Sequence, residues 1–557
     1  MSSPIFSRVK AQYAATSLFN LGHEVKLTTA IGRLTPILCK EILPGDTFNC
    51  NTEILVRLAP MLYPIMHQVK VYTHFFFVPS RILWQDWEAF ITQSVDGNTN
   101  SPNIPKQLPV FHFTESGQLY DLCGNGTLAD YMGDQLSLTS APAESTKIDA
   151  YTNALPYAAY QKIWEDYYRD ENLQDNEELS YLTSDVIEIG QKEEKYFRPR
   201  YRAWKKDYFT SALPFVQKGP DITLPLGGTA PVNLTGLDQP TRYNFNSLDW
   251  KTPNGVSDST FGVEYDSLNG YGSLDLQLTD GSRPSIDSGD VTLQNLQASQ
   301  VSGSVDLSSA TAVTINELRR ANALQRWEEL NARGGTRYVE QLATHFNVRP
   351  RDARLQRAQF LGGGVSDVVI SEVLQNSASQ AGETPQGNMA GHGIAASFNH
   401  AFKSYFDEHG FVIGIMSIMP RAEYYQGTDR LFLKRGVYDF AWPTLAHLGE
   451  QPIYNSELYN QGAPLDPETQ DGIFGYTPRY AEYKFANDRI CGDFRSSLNQ
   501  FHMGRNFANQ PNLNSQFIST ENFKTNVFAV DDDPFWCQLY LDVKATRKLP
   551  KYGTPKL

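Results

Sequence analysis

The side chains best placed to do chemistry in this chain are its cations, and their grouping suits phosphate rather than catalysis. The last seventeen residues carry Lys544, Arg547, Lys548, Lys551 and Lys556 against Asp542 alone. Residues 1–40 carry Arg8, Lys10, Lys26, Arg33 and Lys40 against Glu24. A third group, Lys195-Tyr-Phe-Arg-Pro-Arg-Tyr-Arg-Ala-Trp-Lys-Lys206, interleaves Arg200 and Arg202 with aromatic rings. Clustered Lys and Arg touch phosphate oxygens without reading sequence, and aromatic rings between them stack on unpaired bases. Arg8, Lys10, Arg200, Arg202, Lys544, Arg547, Lys548, Lys551 and Lys556 are therefore expected to meet nucleic acid. The third group equally suits neutralising the acidic stretch 165–194 beside it, and basic termini are equally read as solvated tails.

Other chemistry is sparse. There is no GxSxG elbow, Walker loop, HExxH or EF-hand loop. Gly362-Gly-Gly364 lacks the Lys-Ser/Thr of a phosphate cradle and reads as a flexible turn. His392, His400 and His409 stand eight and nine residues apart in a stretch that reads as loop-rich, wider than the usual spacing of metal ligands. Asp531-Asp-Asp533 offers carboxylate oxygens to calcium, but before Pro534 it reads better as a solvated turn. The five cysteines are odd in number and have no CxxC spacing, so isolated reduced thiols are expected, with no metal and no cofactor.

The elements that must carry these groups are mostly strands. Gly (40) and Pro (31) punctuate a chain of 557 residues that is 12% aromatic, which favours β structure with many turns. Ile54, Val56 and Leu58 alternate in one strand; Val69, Val71, Thr73, Phe75 and Phe77 alternate in the next, with Pro60 and Pro64 between them. Tyr72 and Phe76 on the second strand's other side predict that both its faces are covered. Further strands are expected at 411–419 and 534–545, the latter with Trp536, Gln538, Tyr540 and Asp542 facing one way. Strands so far apart in one sheet imply the long connections of a jelly roll.

Helices are expected at 81–93, at 314–333, where Thr314 and Glu317 form a capping box and Leu318, Ala321, Leu324, Trp327 and Leu330 share a side, and at 337–346. Residues 219–312 are acidic and rich in Gly, Ser, Thr, Asp and Asn, and read as an inserted surface subdomain. Tyr243, Trp250, Phe261, Tyr265 and Tyr271 give it aromatics to bury or present. That divides the chain into 1–218, 219–312 and 313–557. Net charge is −14, so basic ends sit on an acidic body. No apolar run approaches a membrane span and the N-terminus lacks a signal-peptide core, so a cytoplasmic product is expected.

Several motifs then agree with one family. Phe19-Asn-Leu-Gly-His-Glu24, Leu43-Pro-Gly-Asp-Thr-Phe48, Val71-Tyr-Thr-His-Phe-Phe-Phe-Val-Pro79 and Asp207-Tyr-Phe-Thr-Ser-Ala-Leu-Pro214 come first. Ala332-Arg-Gly-Gly-Thr-Arg-Tyr338, Asp352-Ala-Arg-Leu-Gln-Arg357, Pro385-Gln-Gly-Asn-Met389, Trp442-Pro-Thr-Leu-Ala-His-Leu-Gly-Glu450 and the C-terminal tail follow. In this order they resemble the major capsid proteins of microviruses, of the gokushovirus branch.

The resemblance implies an eight-stranded viral jelly-roll β-sandwich with long inserted loops, a few helices and a large surface insertion. It implies a structural subunit, not an enzyme, that forms pentamers and a T=1 icosahedral shell around circular single-stranded DNA. Virion localisation follows, with assembly in the host bacterial cytoplasm. Implied partners are an internal scaffolding protein, a DNA pilot protein, a small basic DNA-associated protein and a host-surface receptor. The receptor would be met by threefold protrusions built from the insertion, for which 219–312 has the position and composition. Two rival readings come from other classes: a carbohydrate-binding β-sandwich using exposed aromatics, and a glycoside hydrolase using paired carboxylates.

Overall fold

The computed structural model describes residues 16–92, 107–134, 145–219, 232–234, 303–305, 315–334, 338–347, 351–352, 356–374, 389–460, 472–523, 527–530 and 532–552. The chain divides into two compact units, residues 1–219 with 327–557, and residues 220–326.

The larger unit is built on alternating strands. The first five are β1 (Ser17–Asn20), β2 (His23–Thr29), β3 (Thr35–Ile42), β4 (Thr47–Leu58) and β5 (Val69–Pro79). After β5 come the short α1 (Trp87–Thr92), then β6 (Val110–Glu115), α2 (Ser116–Cys123), α3 (Leu128–Met132), β7 (Lys147–Asn153), α4 (Leu155–Ile163) and β8 (Val186–Glu188). In the smaller unit, β9 (Val232–Leu234) and β10 (Gly303–Val305) pair antiparallel. The chain returns through α5 (Ile315–Gly334) and α6 (Tyr338–Phe346). Four strands follow: β11 (Gln359–Asp367), β12 (Val369–Leu374), β13 (Met389–Tyr405) and β14 (Gly410–Pro420). A hairpin of β15 (Glu450–Tyr454) and β16 (Ile473–Pro478) precedes the last strand, β17 (Phe535–Arg547).

Eight of these strands make a jelly roll. One sheet runs β2–β17–β4–β13 and the other β3–β14–β5–β11, all antiparallel. Counted in chain order they are strands 1-8-3-6 and 2-7-4-5, the jelly-roll order. β1 continues the β2 edge along β17, and β12 adds a strand outside β13. The expected β-sandwich with long inserted loops and few helices is thus the observed architecture.

Between the sheets lies an apolar core. β4 sends Phe48, Cys50, Ile54, Val56 and Leu58 inward, and β17 sends Phe535, Cys537, Leu539, Leu541, Val543 and Ala545. From the opposite sheet Val71, Phe75, Phe77, Val412, Met416 and Ile418 meet them. Phe75 packs on Phe402 at 5.4 Å and Phe77 on Phe406 at 4.7 Å, ring to ring across the sandwich. Burial holds the thiols of Cys50 and Cys537 up to about 12, as inert small apolar groups.

The second sheet is covered on its other face as well. Phe76, Val78, Ile413 and Ile415 join a second core with Phe111, Phe113, Leu155, Tyr157, Tyr160 and Phe197. The double coverage expected from Tyr72 and Phe76 is met by α4, the β6–β7–β8 sheet and Arg202, whose guanidinium lies 4.3 Å over the Tyr72 ring. A third, smaller core joins Tyr208, Phe209 and Ala212 to the long connection 421–534 through Ile453, Leu458, Phe474 and Phe517.

Three local expectations are corrected. The segment 81–93 is not one helix. It makes a 3-10 turn at Ser80–Ile82 and resumes only as α1, because Leu182 N–H donates to the Leu83 carbonyl at 2.7 Å and Trp84 bridges to Leu182. The glycines 362–364 are no free turn. They sit in β11 at a bulge against β5, where a Cβ on Gly362 would stand 2.3 Å from the Ala401 carbonyl and one on Gly363 2.1 Å from that of Thr73. Asp533 is not a solvated turn carboxylate but pairs with Arg33 at 2.6 Å beside Tyr131, while Asp531 lies outside the described residues. The helix at 314–333 is α5 and that at 337–346 is α6; Thr314 lies outside the described residues. The shared apolar side of α5 leaves Leu318, Leu324, Trp327 and Leu330 exposed.

The turn between β3 and β4 ties the last strand to the first ones. Gly45 takes φ +92°, and the Asp46 carboxylate accepts the Leu43 N–H at 3.0 Å and pairs with Arg547 Nε at 3.0 Å. Asp46 has no exposed side-chain surface. Removing one partner of a buried pair costs about 3–5 kcal/mol, so Arg547→Ala is expected to lower unfolding free energy by about 3 kcal/mol in urea titration. Lys548→Ala, one residue on and exposed, is expected to change it by less than about 0.5 kcal/mol.

Two desolvated histidines, His67 buried and His74 partly buried, are expected to make the fold acid-sensitive. The His67 ring lies within 2.8 Å of the Arg421 carbonyl through Nε2 and receives the Met503 N–H at Nδ1, which fixes the neutral tautomer. His74 contacts Tyr168 Oη at 2.6 Å under Arg202. Burial lowers both from 6.5 to about 4. Between those values the unfolded chain binds the protons and the fold does not, so stability falls as pH drops from 6.5 to about 4. The loss is up to roughly 3 kcal/mol per ring, and His67→Gln is expected to flatten the pH dependence of the urea midpoint.

Candidate functional site: the open face of the first sheet

The second sheet is covered on both sides, so the open side of the first sheet is the broad surface the sandwich leaves available. Its composition follows from strand period and register. With Phe535, Cys537 and Leu539 facing the core, Trp536, Gln538, Tyr540, Asp542 and Lys544 face outward, as the alternation predicts. Pairing lines these up in rows across the strands. Thr28, Trp536, Arg57 and Ile394 form one row; Glu24, Tyr540, Glu53 and Phe398 another; Asn20, Lys544, Asn49 and Lys403 a third.

The rows differ in chemistry. At one end Trp536, 46% exposed, stands beside Arg57 on the floor of a groove of about 800 Å³. Lys26, Leu55 and Gln538 continue that floor, and Asn125, Gly126, Asp130 and Tyr131 line the groove from α3 and the turn before it. In the middle Tyr540 is exposed between Glu24 and Glu53, and Phe398 is exposed on the far side of Glu53. The far end is amide and ammonium: Asn20, Asn49, Lys403 and Lys544, with Lys548 and Lys551 following where β17 leaves the sheet. Lys544 Nζ also pairs with Asp542 at 3.2 Å while remaining half exposed. Cations and amides in one row can hold phosphate oxygens, and exposed rings can stack on bases.

The cations singled out in sequence do not all gather here. Lys544, Lys548 and Lys551 do. Arg547 is engaged inward, paired with Asp46, donating to the Glu41 carbonyl at 2.7 Å and lying over Phe48. Arg200 donates to Gln161 Oε1 at 2.8 Å and to the Glu177 carboxylate, with Trp164 beneath it at 4.4 Å. Arg202 donates to Ser417 Oγ at 3.2 Å and packs on Tyr72. Lys195 and Lys206 likewise pair with Glu177 and Asp170. The basic cluster 195–206 is thereby turned toward the acidic stretch beside it. Arg8, Lys10 and Lys556, and Tyr243, Trp250, Phe261, Tyr265 and Tyr271, lie outside the described residues.

The histidine series is corrected in setting. His392 and His400 lie on the long strand β13, not in a loop, and about 3.3 Å of rise per residue sets them roughly 26 Å apart. His400 bonds Asn51 at 2.8 Å, and His409 packs on Trp87. Among the described residues no three His, Cys, Asp or Glu side chains are grouped to hold a metal, and no helix is long and apolar enough to cross a membrane. Lys403 and Arg57 were not singled out in sequence. Alternation in 51–58 puts Arg57 opposite the core side, but only register sets it beside Trp536.

Comparison with known proteins accords with this geometry. A family model described as "Capsid protein (F protein)" matches residues 7–557. Capsid protein VP1 of Chlamydia phage 1 is 35% identical over 605 residues, covering 99% of this chain and 97% of that protein. Capsid protein VP1 of Bdellovibrio phage phiMH2K is 34% identical over 568 residues, and that of Spiroplasma virus 4 is 30% identical over 583, each with the same coverage. On the family match and these relatives, the chain belongs to the phage capsid protein (F protein) family, a family of structural subunits of the virion shell and not of enzymes.

Proposed function

We propose that this subunit builds a T=1 icosahedral shell, through pentamers, around circular single-stranded DNA, and that the basic end of the open sheet face lies toward that DNA. The observation that carries the DNA assignment is the row Asn20–Lys544–Asn49–Lys403, beyond which Lys548 and Lys551 follow where the chain leaves β17. Lys556, Arg8 and Lys10 extend the same charge along the two ends of the chain. Such contacts neutralise phosphate and carry no sequence preference. Arg200, Arg202 and Arg547 contribute through the fold they hold together. Assembly is proposed in the host bacterial cytoplasm, with an internal scaffolding protein, a DNA pilot protein and a small basic DNA-associated protein as partners.

The insertion 219–312 is proposed to contact a host-surface receptor. Its polar, acidic, turn-rich sequence supports a surface role, since such segments vary without disturbing a sandwich, and Tyr243, Trp250, Phe261, Tyr265 and Tyr271 supply contact area.

Charge reversal tests the DNA face. Lys544→Glu with Lys548→Glu and Lys551→Glu is expected to yield closed shells in normal amount that sediment more slowly than full particles and hold a several-fold lower ratio of DNA to protein. Normal full particles would exclude this face as the DNA contact. Replacing 220–312 by a short glycine-serine linker is expected to leave assembly intact and to abolish adsorption to host cells; unchanged adsorption would remove the receptor assignment.

A further inference from the structure

The connection between β14 and β17 contains a segment in which the usual partition of side chains is inverted. Across 429–449 three charged groups, Arg430, Lys434 and Asp439, turn inward, while Asp429 and Arg435 stay at the surface. Arg430 Nη1 donates to Glu457 Oε1 at 3.0 Å and to the Pro452 carbonyl at 2.6 Å. Lys434, with only 6% of its side chain exposed, donates to Tyr483 Oη at 2.7 Å and lies 3.7 Å from Glu482. The Asp439 carboxylate accepts the N–H groups of Arg435 and Gly436, each at 2.7 Å. Meanwhile Leu431, Phe432, Val437, Tyr438, Phe440, Trp442 and Leu448 face water, with Phe432 and Tyr438 each 74% exposed.

This surface is also built in advance. Three 3-10 helices, Arg430–Phe432, Val437–Asp439 and Pro443–Leu445, succeed one another, and Trp442 Nε1 donates to the Val437 carbonyl at 2.9 Å. Side chains of this kind expose roughly 150–250 Å² each when bare, so the exposed fractions of these seven amount to roughly 800 Å². The largest apolar patch of an ordinary monomer is about 300–600 Å². One partner's share of a stable interface is about 800 Å².

We infer that the segment 429–449 is a subunit–subunit contact, and that its occupant is a second copy of this chain. The inference rests on the coat reading, which supplies identical neighbours in quantity. The chemistry of the segment favours such a partner over nucleic acid. Arg430 and Lys434 are already committed to carboxylates, which leaves an apolar surface of the type found in permanent interfaces. Preformed helical turns keep the ordering cost of docking low.

The test is assembly of the full chain, co-expressed with the other structural proteins of its phage, as wild type and as Phe432→Glu/Tyr438→Glu. Both sites are exposed, so the variant subunit is expected to keep its circular dichroism and melting temperature. Its yield of shells in sedimentation velocity is expected to fall at least tenfold. Independently of any variant, hydroxyl-radical footprinting of wild-type shells is expected to show Phe432, Tyr438 and Trp442 at least fivefold less reactive than in free subunits. Shells at normal yield from the variant, or equal reactivity in shell and subunit, would overturn this contact and leave the coat reading standing; the latter result would turn the segment toward a different partner. A wild-type chain that never assembles would overturn both.

Discussion

Strand β14 is buried along its whole length, and the rest of the architecture follows from having to cover both of its faces. A strand with apolar side chains on both sides cannot stop at a single sandwich. One face is met by β4, β13 and β17 across the core; the other needs α4, the β6–β7–β8 sheet and the chain from Tyr196 to Trp204. The long connections are therefore structural layers rather than decoration. This also explains where the ion pairs fall. Acidic and basic stretches between 162 and 206 hold the outer layer together through Lys162–Asp166, Lys195–Glu177 and Lys206–Asp170, close to the second core.

The first sheet stands in contrast. Its inner face is apolar and its outer face is left to rings, amides and cations in rows. That asymmetry suits a wall subunit, which must be rigid within and able to bind across a broad, shallow surface. A deep enclosed pocket of the kind enzymes use is not what such a face supplies. The apolar segment 429–449 adds a second kind of surface, preordered and neutral, away from the charge-bearing tail in sequence.

Much of this was legible in the residues. Period-two alternation gave β4, β5 and β17 their faces, and the wide separation of strands implied a jelly roll before any pairing was known. What could not be read was register. Lys403 shares a row with Lys544 only because β13 and β17 both pair with β4, and neither spacing nor composition carries that information. Arg200 and Arg202 stand among other cations in sequence, whereas their partners Glu177 and Ser417 are supplied by tertiary contact that spacing does not carry. Gly362 and Gly363 read as a turn because close approach of a neighbouring backbone demands the same residue as a turn does. The segment 81–93 has helical periodicity, yet backbone bonding to Leu182 overrides it.

The placement of β17 bears on how the protein is made. The final strand of the chain sits in the interior of its sheet, with β2 and β1 on one side and β4 on the other. Until β17 has been made, that slot is vacant and the apolar inner faces of both sheets are only half matched. The sandwich therefore cannot close before Phe535–Arg547 has been synthesised, and a chain terminated ahead of that strand has no closed sandwich to offer a growing shell. Synthesis of β17 becomes the checkpoint for assembly, enforced by topology alone.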